Sequence, residues 1–233
     1  MMADDRLFDD TPSLYAALAL EIATRLADAV AARGRASLIA TGGTTPGPLY
    51  DALSEQPAPW ESVVISLTDD RWVDPADASS NEALVRGRLL VGRAAGAEFV
   101  GMKTPDVHPR EAEAAVDRAL AAMPRPWDVL ILGMGDDGHI CSLFPHAPEL
   151  KIALDPAAKR VCAVDRPGAA GAALRISMTV PAVLDARWIV VLIEGREKLE
   201  VVAKAREEGP IAALPVRAVL GQSDVPVEVW WAP

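Results

Sequence analysis

Apolar and polar residues alternate in blocks along the chain. Apolar runs of five to eight residues predict strands at residues 37–41, 63–67, 128–133, 188–195 and 227–231. Amphipathic stretches separate these runs and predict helices. Continuous apolar strands between helices are typical of a mostly parallel sheet with helices on both faces. The pattern therefore predicts an α/β fold with a Rossmann-like sheet of about six strands. We expect one domain spanning residues 1–233.

Boundary signals locate the helices more closely. Residues 14–33 predict the first helix, with Thr11 and Pro12 at its start and Gly34 after its end. Proline is favoured in the first turn of a helix, and glycine just after the last turn. Further helices are predicted over residues 81–91, from Pro109 onward, and over residues 196–206.

The charge balance narrows the class of ligand. Hydrophobic residues make up 51% of the chain and charged residues 24%, and the formal net charge is −10. A chain of this composition buries a core, and its negative charge repels nucleic acid and anionic lipid. We therefore expect a small-molecule ligand and no binding to nucleic acid or membrane. Any anionic ligand must be held by local cations.

Three features indicate a cytoplasmic protein. The N-terminal residues MMADDRLFDD are acidic where an export signal would be basic, and no apolar run approaches the roughly 18 residues that a membrane span needs. Cys141 and Cys162 are too few for a disulfide framework, which favours reduced thiols. The sequence does not define an oligomeric state and leaves room for a weak homo-oligomer.

Three polar segments directly follow predicted strands, and they should converge because ligands of open parallel sheets lie outside the carboxyl ends of the strands. The first segment contains Gly42, Gly43, Thr44 and Thr45. Its glycines let backbone amides approach a ligand and its hydroxyls add donors before a helix, which is the outline of a phosphate cradle. A tight turn with a threonine cap fits the same residues, and the lysine of a Walker loop is absent.

The second segment, residues 68–80, begins with two carboxylates and an arginine. Arg71 can stabilise a developing oxyanion, while Asp69 or Asp70 fixes the orientation of its guanidinium. A solvated turn with a surface ion pair, which contributes little free energy, is an equal alternative.

The third segment, residues 133–145, leads through three glycines and two aspartates to His139. Histidine is the side chain best suited to proton transfer near neutral pH, so His139 is the strongest candidate for a general base. A lone histidine is usually a surface or core residue, but a glycine-rich loop at the carboxyl end of a strand favours a functional one. Cys141 is expected to be a packed thiol, and Asp136 and Asp137 lack a second histidine at metal-ligand spacing.

Four motifs resemble the glucosamine-6-phosphate isomerase/6-phosphogluconolactonase family over nearly the whole chain. They are TGGTTPGPLYDAL at residues 41–53, DDRWVDPADASSN at 69–81, DVLILGMGDDGHICSLFPHAPEL at 128–150, and RISMTVPAVLDA at 175–186 with EGREK at 194–198. The third motif is highly specific. The resemblance implies the glucosamine-6-phosphate isomerase/deaminase fold and hydrolysis of a phosphorylated sugar lactone in the pentose phosphate pathway, without metal or organic cofactor.

The resemblance also implies roles for individual residues. The loop from Gly42 to Thr45 would bind the sugar phosphate, with Arg175 and Lys198 as cationic contacts. His139 would act as base, and Arg71 would lie near the lactone. Asp69 and Asp137 are the carboxylates expected at the catalytic centre, and the sequence leaves open which aspartate orients His139.

The chain departs from the family pattern at two carboxylates. The family usually has Asp-Glu-Arg where this chain has Asp69-Asp70-Arg71, and Gly-Glu-Asp-Gly-His where it has residues 135–139. Each change shortens a side chain by one methylene and keeps its charge.

Two other functions compete with lactone hydrolysis. An amino-sugar phosphate deaminase of the same fold would have an Asn-Glu pair after a phenylalanine, whereas Pro145 follows Phe144 here, and Glu149 is the nearest substitute. A non-catalytic sugar-phosphate sensor would need a DNA-binding appendage, and we expect none in this acidic chain.

Overall fold

The computed structural model describes residues 5–168 and 172–233, so the first four residues of the acidic N-terminal segment lie outside the described part. In the described ranges the strands are β1 (Arg6–Leu7), β2 (Ala36–Ala40), β3 (Val63–Leu67), β4 (Asp69–Arg71), β5 (Glu98–Phe99), β6 (Val129–Gly133), β7 (Val161–Asp165), β8 (Leu174–Met178), β9 (Ile189–Glu194) and β10 (Val227–Ala232). The helices are α1 (Thr11–Arg33), α2 (Pro46–Ser54), α3 (Asn81–Arg88), α4 (Pro109–Ala121), α5 (Leu150–Ala153), α6 (Val180–Val183), α7 (Arg196–Ala205) and α8 (Arg217–Leu220), with 3₁₀ turns at Trp60–Ser62, Gly92–Gly96 and Ile211–Ala213.

The central sheet is parallel and has the order β1-β10-β9-β6-β2-β3-β5. All five predicted strands belong to it, which confirms the α/β fold and the mostly parallel sheet. Strands β2 and β3 are buried along their whole length, as expected where helices cover both faces. The two-residue strands β1 and β5 at the sheet edges were not predicted, because so short a pairing leaves no pattern in the sequence.

The strand order reverses between β2 and β6. From β2 the chain adds β3 and β5 on one side, and from β6 it adds β9 and β10 on the other. Because crossover connections between parallel strands are right-handed, this reversal places the connecting helices of the two halves on opposite faces. Ligands of such sheets bind at the reversal point, so the loops after β2 and β6 flank the expected site.

The predicted first helix is confirmed as α1, and its boundaries follow from its end residues. Asp10 is the capping residue, one position before Thr11, and its carboxylate accepts a hydrogen bond of 2.7 Å from the backbone N–H of Ser13. Gly34 ends the helix in the left-handed conformation, with φ of 79°. Helix α4 begins at Pro109 as predicted, whereas α3 ends at Arg88, before the predicted residue 91.

A second sheet of three antiparallel strands, in the order β4-β8-β7, was not predicted. Its strand β4 lies in the segment expected to be a polar loop. The outer edge of β7 is covered by carboxylates, since Glu113 of α4 accepts from the N–H of Ala163 and Glu149 accepts from the N–H of Asp165. Such cover protects an edge strand from pairing with another chain.

Within the described residues, no helix is both long enough and apolar enough to cross a membrane.

Candidate active site

The loop after β2 is a backbone cradle at the start of α2. The hydroxyl of the fully buried Tyr50 anchors its base, donating to the carbonyl of Thr41 at 2.5 Å and accepting from its N–H at 2.9 Å. Gly43 has a φ of 96°, a conformation that favours glycine. Thr45 stands at the N-cap position of α2, but its side chain makes no capping hydrogen bond. The capping hydrogen bond of the alternative interpretation is therefore wrong, although Thr45 does stand at the N-cap position.

Asn81 holds the cradle from the other side. A Cβ atom on Gly42 would lie 1.9 Å from the Asn81 side-chain oxygen, so the amide packs directly on the Gly42 backbone. The Asn81 amide also donates a hydrogen bond of 2.7 Å to the carbonyl of Asp69. This asparagine therefore joins the loop after β2 to the strand β4.

Strand alternation divides the acidic cluster of β4. Successive side chains of a strand point to opposite faces, and Asp69 and Arg71 line the pocket while Asp70 faces the start of α3. The buried Asp69 carboxylate accepts a hydrogen bond of 2.5 Å from the hydroxyl of Ser142, which belongs to the loop after β6. Asp69 thus connects two of the three predicted segments, and the solvated-turn alternative is wrong.

Asp70 is a buried structural carboxylate. It accepts hydrogen bonds from the backbone N–H of Arg71, Asn81 and Glu82, at 2.7, 2.6 and 3.2 Å, and from the hydroxyl of Ser80 at 3.0 Å. Burial raises the pKa of Asp70 to about 6, against the opposing effect of these four donors. The carboxylate ties β4 to the first turn of α3 and takes no part in the pocket.

Two arginines are directly paired on neighbouring strands of the small antiparallel sheet. Arg71 of β4 and Arg175 of β8 are paired residues in the antiparallel ladder. Like charges in this arrangement repel, and burial, together with the charge of Arg71, lowers the pKa of Arg175 below its ordinary value. The buried Nε atom of Arg71 has no hydrogen-bond partner within the described residues. The arginine pair is therefore suited to an anion or an oxyanion.

The loop after β6 presents His139 with its acidic partner. Nδ1 of His139 lies 2.6 Å from the Asp137 carboxylate, which also accepts from the His139 backbone N–H at 3.1 Å. This hydrogen bond lowers the pKa of Asp137, so the partner is a carboxylate that can only accept. The proton consequently resides on Nδ1, and Nε2 is the basic nitrogen.

Glycines shape the loop around the imidazole. A Cβ atom on Gly135 would lie 2.2 Å from the ring atoms Cε1 and Nδ1 of His139, so the ring packs on bare backbone. Gly138 has a φ of 77° and is packed against Leu214, while its carbonyl accepts a hydrogen bond of 3.0 Å from the N–H of Val216. The C-terminal part of the chain thereby supports the loop that carries His139.

These elements enclose one continuous site at the strand-order reversal. The main pocket is lined by Thr41, Gly42, Gly43, Thr44, Thr45, Pro46, Asp69, Arg71, Asn81, Gly133, Met134, Gly135, His139, Cys141, Arg175, Leu192 and Lys198. An adjoining pocket shares Arg71, His139 and Arg175 with it, and is further lined by Asp137, Phe144, Arg166, Pro167 and Gly168. All the residues predicted for the site are therefore brought together, with Asp137 in the adjoining pocket.

Lys198 borders the main pocket from α7. It lies in the first turn of that helix, directly after β9, and its Nζ atom is 4.0 Å from the exposed carboxylate of Asp136.

Residues Asn81, Phe144 and Arg166 were not predicted for the site. Asn81 could have been found from the sequence because it follows the capping serine of α3. Arg166 could not, because it lies between β7 and β8, two strands that the sequence did not predict.

Two other interpretations from the sequence concern Cys141 and Glu149. Cys141 is confirmed as a packed thiol, since it is buried and burial raises its pKa well above the ordinary value. Glu149 accepts from the backbone of β7 and does not line either pocket, so it does not replace the carboxylate of a deaminase. His108 caps α4 by accepting from the N–H of Arg110 at 3.1 Å.

The fold and the pocket define an α/β protein whose strand-order reversal carries a pocket lined by the cations Arg71, Arg175 and Lys198. The family described as glucosamine-6-phosphate isomerases/6-phosphogluconolactonase matches residues 9–231. The chain belongs to the glucosamine-6-phosphate isomerase/6-phosphogluconolactonase family.

Individual relatives are similar over nearly the whole chain. The 6-phosphogluconolactonase of Mesorhizobium japonicum is 41% identical over 97% of this chain and 94% of its own. A crystal structure of a 6-phosphogluconolactonase from Shewanella baltica is 40% identical, with a TM-score of 0.94 and complete coverage of both chains. A monomeric glucosamine-6-phosphate deaminase has a TM-score of 0.74 at 17% identity, covering 97% of this chain and 96% of its own, which shows a shared fold.

Proposed function

We propose that this chain hydrolyses 6-phospho-D-glucono-1,5-lactone to 6-phospho-D-gluconate, a step of the oxidative pentose phosphate pathway. The relatives named 6-phosphogluconolactonase, at about two-fifths identity over nearly the full length, support the reaction. The observation that carries the proposal is the His139–Asp137 pair, which shares a pocket with the arginines 71 and 175. A base beside two cations suits attack on a carbonyl that develops negative charge.

The substrate phosphate is held at the end of the pocket that is remote from Asp137. The amides of Gly42 and Gly43 and the hydroxyls of Thr44 and Thr45 supply donors at the start of α2. Lys198 adds a positive charge on the same pocket. Because the phosphate does not react, its binding energy serves to position the lactone beside His139.

Attack on the lactone uses the basic nitrogen of His139. Nε2 takes a proton from a water molecule while the water oxygen bonds to the carbonyl carbon. Asp137 stabilises the resulting imidazolium through Nδ1, and Arg71, which lines the same pocket as His139, stabilises the tetrahedral oxyanion. Asp69 keeps β4 and the loop after β6 together through Ser142.

Collapse of the intermediate breaks the bond between the carbonyl carbon and the ring oxygen. His139 gives its proton to that oxygen, which becomes the hydroxyl on carbon 5, and the imidazole returns to its neutral form. The new carboxylic acid ionises at neutral pH, so each turnover consumes one water and releases one proton. Neither a metal nor an organic cofactor takes part in these steps.

The substrate test compares two sugar phosphates. Freshly generated 6-phosphoglucono-1,5-lactone should release protons far faster with the protein than spontaneously, and glucosamine 6-phosphate should yield no ammonia. Ammonia release without faster lactone hydrolysis would contradict the proposal and indicate the deaminase reaction.

We also propose that the protein acts in the cytoplasm on this small molecule, without nucleic acid. The buried, unpaired thiols of Cys141 and Cys162 and the net charge of −10 support this location and ligand class.

A further inference from the structure

The pocket beside His139 has a cation that the proposed reaction has not used. Arg166 follows β7, and its backbone N–H donates a hydrogen bond of 2.9 Å to the carbonyl of Ala173, so the residue is anchored at the start of the β7–β8 connection. Its side chain is half-buried and lines the adjoining pocket together with Asp137 and His139. Arg166 is therefore fixed at its backbone and directed to the site.

Phe144 gives the Arg166 side chain its position. The guanidinium lies 5.0 Å from the centroid of the Phe144 ring, and the His139 ring lies 4.5 Å from the same centroid. The guanidinium of Arg175 is 5.4 Å from that ring as well. One aromatic ring thus places two guanidinium groups and the catalytic imidazole around a single pocket.

Arg166 has no acidic partner among residues 5–168 and 172–233. Its guanidinium forms no ion pair with a carboxylate of the described residues, although the chain as a whole carries a net charge of −10. The Asp137 carboxylate in the same pocket is bonded to His139. A guanidinium fork without a carboxylate, at the edge of a ligand pocket, is suited to a carboxylate that arrives with the ligand.

The chemistry of the proposed reaction supplies such a carboxylate. The lactone is uncharged at its reacting end, and hydrolysis converts that end to a carboxylate while the phosphate keeps its charge. Opening the ring also lets the carboxylate move away from the phosphate. The cradle holds the phosphate in the main pocket, and Arg166 lines only the adjoining pocket, beyond His139.

We propose that Arg166 binds the carboxylate of the product and that it distinguishes product from lactone. This inference rests on the proposed function. It makes Arg166 a determinant of product affinity and of the rate at which the product leaves, while the lactone is held chiefly by its phosphate and by the arginines 71 and 175.

Calorimetric binding to the intact chain tests the assignment without turnover. The probes are 6-phosphogluconate, which has both anionic ends, and glucose 6-phosphate, which has the phosphate alone. Arg166→Gln should weaken 6-phosphogluconate about tenfold, the effect of one charge-assisted hydrogen bond, and glucose 6-phosphate less than twofold. Lys159→Gln removes the same charge at the exposed position before β7, outside both pockets, and should change neither affinity.

Failure of the Arg166 assignment can be distinguished from failure of the proposed function. If Arg166→Gln weakens the binding of both probes equally, Arg166 contacts the phosphate. If the affinity for 6-phosphogluconate is unchanged, Arg166 contacts neither anionic end. Either result overturns the assignment. A wild-type chain that binds 6-phosphogluconate but does not accelerate lactone hydrolysis would overturn the proposed function instead.

Discussion

At the scale of single residues, the hydrogen bond between Asp137 and His139 determines which nitrogen is basic. The carboxylate accepts from Nδ1 at 2.6 Å, and this contact lowers the pKa of Asp137. Asp137 therefore stays ionised through the pH range in which a histidine exchanges its proton. The negative charge of Asp137 stabilises the positive charge that His139 acquires when it deprotonates water.

Replacing Asp137 with asparagine measures how much the negative charge of Asp137 contributes to catalysis. Asp137→Asn keeps an acceptor for Nδ1 but removes the negative charge, so kcat should fall by about 10- to 100-fold with little change in KM. Initial rates of proton release give both constants. Asp136→Asn, at the exposed neighbouring carboxylate, is the matched control, and an equal loss in the two variants would contradict the role of Asp137.

The space at Gly135 gives a second prediction at this scale. Gly135→Ala places a Cβ atom 2.2 Å from the His139 ring and must displace it, so kcat should drop at least tenfold. Gly87→Ala is the control, because nothing lies within 4 Å of a Cβ there and alanine favours the helix. Equal rates for the two variants would show that the position of the imidazole is not critical.

The sequence identifies the candidate residues of the site but does not determine the role of each one. Asp69 and Asp70 are adjacent and chemically identical, and only the formation of strand β4 sends one to the pocket and the other to α3. The sequence predicts a polar loop over residues 68–80, and a loop does not predict that neighbouring side chains alternate between two faces. The pairing of His139 with Asp137 likewise depends on the conformation of the loop, where Gly138 has a φ of 77°.

At the scale of elements, Asp70 connects β4 to α3 and makes stability depend on pH. Its pKa is raised by burial from 3.8 to about 6, so the folded state holds this proton more tightly than the unfolded state. The resulting stabilisation is fully present below about pH 4 and is lost as the pH rises through about 6.

Asp70→Asn should remove this dependence. Urea titration gives the free energy of unfolding of the wild type and of the variant. The wild-type value minus the variant value should decrease by on the order of 2 kcal/mol between pH 4 and pH 7. Asp9→Asn, at an exposed position, controls for the loss of one carboxylate. An increase over the same interval would show that the four donors to Asp70 outweigh its burial.

The elements differ in how far the sequence predicts them. The five central strands were predicted because each is predominantly apolar, and β2 and β3 are buried along their whole length. The small antiparallel sheet was missed because β4 has only three polar residues and pairs with β8, about a hundred residues later. Its stability depends on long-range pairing and buried polar contacts, which local hydrophobic periodicity does not record.

At the scale of the whole molecule, the site unites distant parts of the chain. The cradle follows β2, His139 follows β6, and Lys198 follows β9. If residues 1–233 form one cooperative domain, ligand binding at this site should stabilise all of it. With 6-phosphogluconate at about 100 times its Kd, the stabilisation should be about 2.7 kcal/mol, and the single melting transition should move up by roughly 5 to 10 °C.

Differential scanning calorimetry measures this response. Two transitions, of which only one moves with the ligand, would contradict the one-domain organisation.

The central claim is that His139 acts as the base in lactone hydrolysis. Its most direct test is the rate of proton release from freshly generated 6-phosphoglucono-1,5-lactone at neutral pH, for the wild type, His139→Asn and His108→Asn. His108 caps α4, and asparagine retains that cap, so the second variant controls for loss of a histidine. We predict a rate close to the spontaneous one for His139→Asn alone, and a wild-type rate in that variant would contradict the account.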